Sequence, residues 1–435
     1  MRIPAALLSS MAVLLTCSAA PAAQSMKSGP VVTVASQAPS TRAPVQPDCA
    51  FDGDKTFLIV WQQGEKFYER EDPGVFVVRL SAEGKVLDPK PIVLSSGEGS
   101  RERPRVRFAG GVFLVVWQDL RNGKDWDVYA ARVTPEGRIL DKDGIRVSGE
   151  AHSQAMPDVA AGPNGFLVVW QDFRNGRFYR PYAAHVSATG KVREPRGVEL
   201  KHKGKALAGG TVSVVRAGTV WFLSWSDERA WAPGARGMNT LRMGRLDDVL
   251  NVLDLLRSPC GLLARSRGRF FGDGRKALFA ATFTAGHGGG HSPAVAVLYD
   301  SASAKALKNP NTEKRVKGLS GFTNERMIIL RETRLGAQGP VGVGCDGRKY
   351  LATFRGLRKG LNKDTAAGNK ILAMRLGLDG KRTDPADKPF IIHQGKVPGM
   401  NPAVAGGKEG TFLVCYETEG VAGKHLVVAR LVREQ

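Results

Sequence analysis

The chain has 435 residues, 42% of them apolar and 24% charged, a balance that excludes a disordered polymer and supports a large packed core. Its 63 Lys and Arg against 41 Asp and Glu give a formal charge of +22, which favours acidic polymers or anionic surfaces over cationic partners. Beyond the N-terminus, no apolar run is long enough to cross a bilayer as a helix.

The chain opens with Arg2, an apolar run from Ile3 to Leu15, and small residues ending in Ala20-Pro21-Ala22. That layout is a secretory signal with an A-x-A cleavage site. Residues 1–22 are therefore read as a removed signal peptide, and the rest as exported, whether periplasmic, cell-surface or secreted. Leu14-Leu15-Thr16-Cys17 offers acylation at Cys17 as a lipoprotein alternative. Thr16 is a poor residue before such a cysteine, so ordinary cleavage is preferred. Four cysteines then remain, Cys49, Cys260, Cys345 and Cys415, with three pairings open. They lack C-x-x-C spacing, so buried free thiols are preferred and a zinc site is not assigned.

Pro30-Val31-Val32-Thr33-Val34-Ala35-Ser36 comes next, a lone β-branched stretch. After it, two aromatic residues four positions apart recur inside apolar runs: Phe57/Trp61, Phe113/Trp117, Phe166/Trp170, Trp221/Trp225, Phe279/Phe283, Tyr350/Phe354 and Phe412/Tyr416. The spacing, roughly 55–70 residues, holds one four-stranded antiparallel sheet with its turns. These seven repeats predict an all-β chain, a single seven-bladed β-propeller over residues 23–435.

The second and third repeats show the unit most clearly. Pro104 to Phe108 and Pro157 to Ala161 read as first strands, and the aromatic runs as second strands buried on both faces. Val128 to Val133 and Gly144 to Ser148 complete the second repeat. Between third and fourth strands a basic residue precedes an acidic one by nine positions: Arg79/Asp88, Arg132/Asp141, His185/Glu194, Arg245/Asp254 and Arg375/Asp384. Such pairs are expected to be cross-strand salt bridges, worth roughly 0.2–1 kcal/mol each.

Regularity lapses in a Lys- and Ser-rich stretch at about residues 300–324, read as a surface insertion before the fourth strand of the fifth blade. The seventh repeat ends at Gln435 without a fourth strand. Residues 30–36 are expected to supply it, with Val31 to Ala35 pairing beside Val427 to Leu431 and closing the ring.

Connections between second and third strands share one face of such a disc. They carry Arg121 and Trp126, Arg177 and Tyr179, and Arg229 and Trp231. Cations meet carboxylates or sulfates and aromatic faces stack on sugars or bases, so these six are the candidate ligand-binding residues. Three loops begin W-x-D-x-R, at Trp117/Asp119/Arg121, Trp170/Asp172/Arg174 and Trp225/Asp227/Arg229. A carboxylate repeated in three blades reads as turn stabilisation. His287-Gly288-Gly289-Gly290-His291 reads as a solvated loop, since nothing orients its imidazoles toward a metal.

Phe166 to Asp172 through Tyr182 to Val186, with the near copy from Phe113 to Val133, resembles repeats of uncharacterised exported bacterial β-propeller proteins. The resemblance is closest over Pro47 to Glu199 and thins toward Gln435. It implies a propeller outside the cell membrane and brings no catalytic residue. The S-x-D-x-G-x-T-W turn of sialidases and the signature of Trp-Asp repeats are missing. No catalytic residue, metal or cofactor is assigned. The preferred reading is a noncatalytic binding or scaffold protein for an anionic polysaccharide or partner protein, ahead of nucleic acid. The alternative is a hydrolase or lyase acting on an acidic glycan.

Overall fold

The computed structural model describes residues 25–37, 45–63, 74–227, 240–256, 269–282, 294–303, 305–308, 328–331, 337–356, 370–385, 388–395, 399–420 and 424–435. They form seven four-stranded antiparallel sheets and one small hairpin, Lys201–His202 with Lys205–Ala206. Each sheet is one propeller blade. Blade 1 comprises Val45–Phe51, Thr56–Gln63, Gly74–Ser81 and Ile92–Ser95, and blade 2 Arg101–Ala109, Val112–Asp119, Asp127–Val133 and Ile145–Ser148. Blade 3 comprises Gln154–Gly162, Gly165–Asp172, Arg180–Val186 and Val198–Glu199, and blade 4 Gly210–Ala217, Val220–Asp227, Thr240–Leu246 and Val252–Leu256. Blade 5 has Arg269–Gly272, Lys276–Thr282, Ala294–Asp300 and Ile328–Arg331, and blade 6 Ala337–Cys345, Lys349–Gly356, Lys370–Gly377 and Phe390–Gln394. Blade 7 has Met400–Gly406, Thr411–Glu419 and His425–Glu434, and its fourth strand is the N-terminal Met26–Gln37.

The ring closes as the missing strand required. Val31 lies opposite Arg430, Val32 opposite Ala429 and Ala35 opposite Val427, with register shifts on either side of Val31 to Thr33. The signal expected at residues 1–22 lies outside the described residues. So does most of the expected insertion; at its start Ala306 bridges Tyr299, as Ile139 bridges Val133 in blade 2.

The aromatic pairs have a physical explanation in the packing between blades. Residues i and i+4 of a strand share a face, and that face always meets the preceding blade. Phe113 and Trp117 pack with Leu58, Val60 and Val77 of blade 1, and Phe166 and Trp170 with Leu114, Val116 and Ala130 of blade 2. Phe57 and Trp61 meet Leu413 and Cys415 of blade 7. The alternating residues, Leu58 and Val60 in blade 1, face the next blade, so the second strand is buried on both sides: Phe57 to Trp61 are all 0% exposed. Phe283 lies outside the described residues. The core is thus a set of wedges between blades, which leaves the innermost strands to line the central channel.

Two polar devices join neighbouring blades, and the first was half legible. The four Arg–Asp pairs form ion pairs, and His185 Nδ1 lies 3.2 Å from Glu194 in the fifth. Asp141 takes the Arg132 guanidinium at 2.8 Å and also accepts from the Arg132 backbone N–H at 2.9 Å. Meanwhile the free arm of each arginine reaches the next blade: Arg79 donates to the Pro135 carbonyl, Arg132 to Ala188 and Arg245 to Ser301. Arg132 and Asp141 side chains are only 16% and 15% exposed, so the value for an exposed pair does not apply. Asp141→Ala is expected to cost about 2 kcal/mol in urea unfolding, because it strips a charged hydrogen bond and a backbone acceptor together. As a control, Asp54→Ala, which breaks the exposed Lys408 pair, is expected to leave the midpoint unchanged.

The second device is absent from the sequence reading. First strands begin with a bulge at which Gln46, Arg103, Met156 and Thr211 adopt φ of 56°, 57°, 56° and 49°. That left-handed kink frees the residue's N–H from the ladder. The residue following the second-strand aromatic of the preceding blade then accepts it: Gln62 from Arg103 at 2.6 Å, Gln118 from Met156 at 3.0 Å, Gln171 from Thr211 at 2.9 Å and Glu417 from Gln46 at 2.5 Å. Proline at positions 47, 104 and 157 suits the bulge, where no ladder donor is needed.

Candidate ligand-binding site

First strands start beside second-strand ends, as in the Gln154/Asp172 pairing. The bulges, the connections between blades and the loops from second to third strands therefore share one end of the disc, called here the loop face.

At this face the residue two after each bulge enters the channel: Asp48, Arg105, Asp158 and Ser213 in blades 1 to 4. Arg107 and Arg269, from blades 2 and 5, join them. Arg103, Arg105, Asp158 and Arg269 line a small recess at this face, while a cavity of about 360 Å³ that touches Asp48, Arg107 and Arg269 runs on through the channel to the turns between first and second strands at Phe51, Phe108 and Gly274, at the opposite end of the disc.

Three guanidiniums here face two carboxylates. Arg107 pairs with Asp48 at 3.0 Å, and Asp48 also accepts from the Val106 N–H at 3.1 Å. Burial works against the charge on Asp48, yet Arg107, Arg105 and Arg269 together hold it below the usual carboxylate range. Asp158 accepts from the Val214 N–H at 3.2 Å, while its buried Oδ1 has no hydrogen-bond partner among the described residues. Arg105 donates to its neighbouring Pro104 carbonyl at 2.7 Å, but neither it nor Arg269 has an ion pair among the described residues. Burial, then repulsion from Arg269, pushes Arg105 down to about 9. The cluster carries one positive charge too many, which a bound anion would neutralise.

The aromatic rim begins beside this mouth. Of the six residues assigned from sequence, the structure describes four; Arg229 and Trp231 lie outside the described residues. Arg121 is spent on its own turn and on a contact with Ser95 of blade 1 at 3.5 Å. Its guanidinium holds Asp119 at 2.6 and 2.9 Å, donates to the Asp143 carbonyl and lies 3.9 Å from the centre of the Tyr129 ring. Asp119 in turn accepts from Trp117 Nε1 at 2.7 Å, and Trp170, Asp172, Arg174 and Tyr182 repeat the arrangement in blade 3. In blades 2 and 3 the W-x-D-x-R motif is accordingly a turn clamp; Arg229 of the third copy lies outside the described residues.

Trp126, Arg177 and Tyr179 do come onto one surface. The Trp126 carbonyl accepts from Gln154 N–H at 2.5 Å, tying the blade 2 loop to the start of blade 3. Neighbouring His152 meets Phe173 edge-on at 6.2 Å, and Phe173 meets Tyr179 at 4.9 Å. Phe178 is 48% exposed, with the Arg177 and Arg180 guanidiniums 5.6 and 6.0 Å from its ring centre. His152 and Phe173 escaped the sequence reading because one sits in the connection between blades and the other immediately follows the clamp aspartate. Aromatic faces edged by cations can stack on sugar rings and bind carboxylate or sulfate.

One carboxyl on this face stands apart. Asp127 is only 6% exposed, and burial, reinforced by Asp125 and Asp119 against the pull of Arg146, pushes it up to about 6. A raised value means that the folded state binds the proton more tightly than the unfolded chain. Its stabilising contribution is full below the ordinary value of 3.8 and is lost as pH rises through about 6. Asp127→Asn is therefore expected to stabilise the protein at pH 7.5 by about 1 kcal/mol, after allowance for solvent screening, and to have no effect near pH 4. Denaturant titration at both values checks this; equal effects at the two would contradict it.

No known protein family and no curated protein matches the chain. Solved structures do. A protein of unknown function from Dyadobacter fermentans superposes with a TM-score of 0.50 at 10% identity, over 94% of this chain and 99% of the other. The β-propeller domain of the Trilobed protease from Pyrococcus furiosus gives 0.49 at 10% identity, over 90% and 95%. An α-L-arabinanase from Penicillium chrysogenum, complexed with arabinobiose, gives 0.47 at 11% identity, over 94% and 98%. At 10% identity the likeness to the Dyadobacter fermentans protein is one of fold alone.

Proposed function

We propose that the protein is an exported, noncatalytic binding or scaffold propeller whose loop face holds an anionic polymer or an anionic partner protein. The observation that carries this reading is the uncompensated arginine cluster at the channel mouth, beside a rim where aromatic rings and guanidiniums alternate. An acidic polysaccharide suits it best, because ring stacking and carboxylate or sulfate pairing are available on the same face. The channel would take one anionic group while the rim holds the flanking sugars.

Titration with polyuronate and heparin-like polymers at low and physiological salt tests this, with single-stranded DNA as a competing ligand. Affinity is expected to fall as salt rises, since exposed charges are screened over about 8 Å at physiological ionic strength. Arg177→Ala is expected to flatten that dependence, whereas Trp126→Ala weakens binding at every salt concentration. Unchanged binding in the double variant would refute the rim's role.

A second reading, a hydrolase or lyase of acidic glycans, rests on Asp127, whose value of about 6 suits a proton donor. Chain cleavage that disappears in Asp127→Asn while polymer binding persists would establish it. Absence of cleavage by the wild-type protein would remove it.

A further inference from the structure

Cys49 and Cys415 are 366 positions apart in sequence, yet they face each other where the ring closes. Cys49 lies on the innermost strand of blade 1 and Cys415 on the second strand of blade 7, and both belong to the buried cluster that welds these blades, with Phe57, Ile59, Ala403 and Leu413. Their exposures are 3% and 0%. Cys49 Sγ sits 3.9 Å from the Leu413 carbonyl. Leu413 and Cys415 share a sheet face, so this contact sets the Cys49 sulfur against the side of the strand from which Cys415 projects. Burial, and then the nearby Cys49 thiol, push the Cys415 thiol up. Both are free in this structure, as is Cys345, whose thiol instead accepts from the Gly347 N–H.

We propose that Cys49 and Cys415 form a disulfide that locks the seam between the first and last blades when the chain folds in the presence of a disulfide-class oxidant. The seam is otherwise held by side-chain packing, by the Gln46 N–H to Glu417 hydrogen bond and the Lys408–Asp54 ion pair, and by the N-terminal strand, which joins blade 7 and leads into blade 1. A cross-link between the ends of the array restrains the unfolded chain over nearly its whole length, which is where such bonds act most strongly.

The chemistry balances as two exchanges. One cysteine thiolate attacks the oxidant's S–S bond and releases one thiol; the second cysteine thiolate attacks the mixed disulfide and releases the other. Two cysteine thiols and one external disulfide become one protein disulfide and two external thiols, with two electrons and two protons transferred. Burial, with the adjacent Cys49 thiol, holds Cys415 well above the usual thiol range. Thiolate is therefore scarce once the seam has closed, and the bond has to form while blades 1 and 7 are still docking. The export expected from the N-terminus would supply an oxidising compartment.

The test refolds the full chain from denaturant in oxidised and reduced glutathione, and in parallel in dithiothreitol, followed by alkylation under denaturing conditions and peptide mapping. Glutathione is expected to give one cross-linked peptide pair containing Cys49 and Cys415, two hydrogens lighter than the sum of its parts, and dithiothreitol to give both residues alkylated. The oxidised form is expected to unfold several degrees higher, and that gain is expected to vanish on reduction and in Cys49→Ala and Cys415→Ala. Folded, reduced protein exposed to the same oxidant is expected to react far more slowly than protein oxidised during refolding. Two alkylated thiols after refolding in glutathione, or a link from Cys49 to Cys260 or Cys345 instead, would overturn the proposal.

Discussion

A chain lacking residues 25–37 is expected to unfold at least about 10 °C below the intact protein, and addition of those residues as a separate peptide is expected to restore much of the loss. The closing strand pairs with His425–Glu434 along most of its length and buries Val34 and Ala35 to 7% and 6% exposure. Its hydrogen bonds and buried apolar surface together amount to on the order of 5 kcal/mol. Without it, the third strand of blade 7 becomes an open edge, with unpaired backbone groups able to recruit another chain. The truncated protein is therefore expected to self-associate on size-exclusion chromatography as well. An unchanged midpoint and a monomeric elution would show that the strand decorates the ring without closing it.

The second large effect concerns the channel. Arg105→Gln with Arg269→Gln is expected to lower affinity for an oligouronate about 100-fold, because both charges lie where one anionic group would be bound out of bulk water. The same double variant is expected to be more stable than the parent. Arg105 is half-buried and is repelled by Arg269, so removing both relieves a cost that the unliganded protein carries. Structural arginines behave oppositely: Arg132 joins its own turn to the next blade, and its loss is expected to destabilise. Affinity retained with stability gained would make the arginine cluster an incidental strain; affinity and stability lost together would make it a structural network.

What the sequence revealed followed from local periodicity. Phe113 and Trp117 could be read as one buried face because alternation at period two is a property of the strand itself. The role of residues 30–36 was legible through a deficit, since a seventh repeat without a fourth strand leaves an edge that the chain must cover. Arg132 and Asp141 could be matched because a turn joins them.

The other arm of Arg132 was hidden. Its acceptor is the Ala188 carbonyl, and a backbone oxygen in another blade leaves no mark in composition. For the same reason the Gln118 link to Met156 went unread: it depends on a left-handed backbone at a residue other than glycine. The channel cluster was the largest omission. Arg105 and Asp158 look like ordinary strand residues after proline, and only closure of the ring brings Arg105 and Arg269 together from blades 2 and 5. The rim was legible as a class of residue and less so in its members. Trp126, Arg177 and Tyr179 share a surface, whereas Arg121 serves the clamp that the same motif had announced.

Hydrogen–deuterium exchange with and without an oligouronate tests the central claim most directly, because it locates the ligand on the disc without altering a residue. Slower exchange is predicted in residues 120–126, 151–156 and 173–180 and in the first strands around Arg105 and Arg269, fading as salt is raised, with the turns between third and fourth strands unchanged. Protection confined to those turns, or none at a ligand concentration that saturates binding, would contradict a loop face built to hold an anionic polymer.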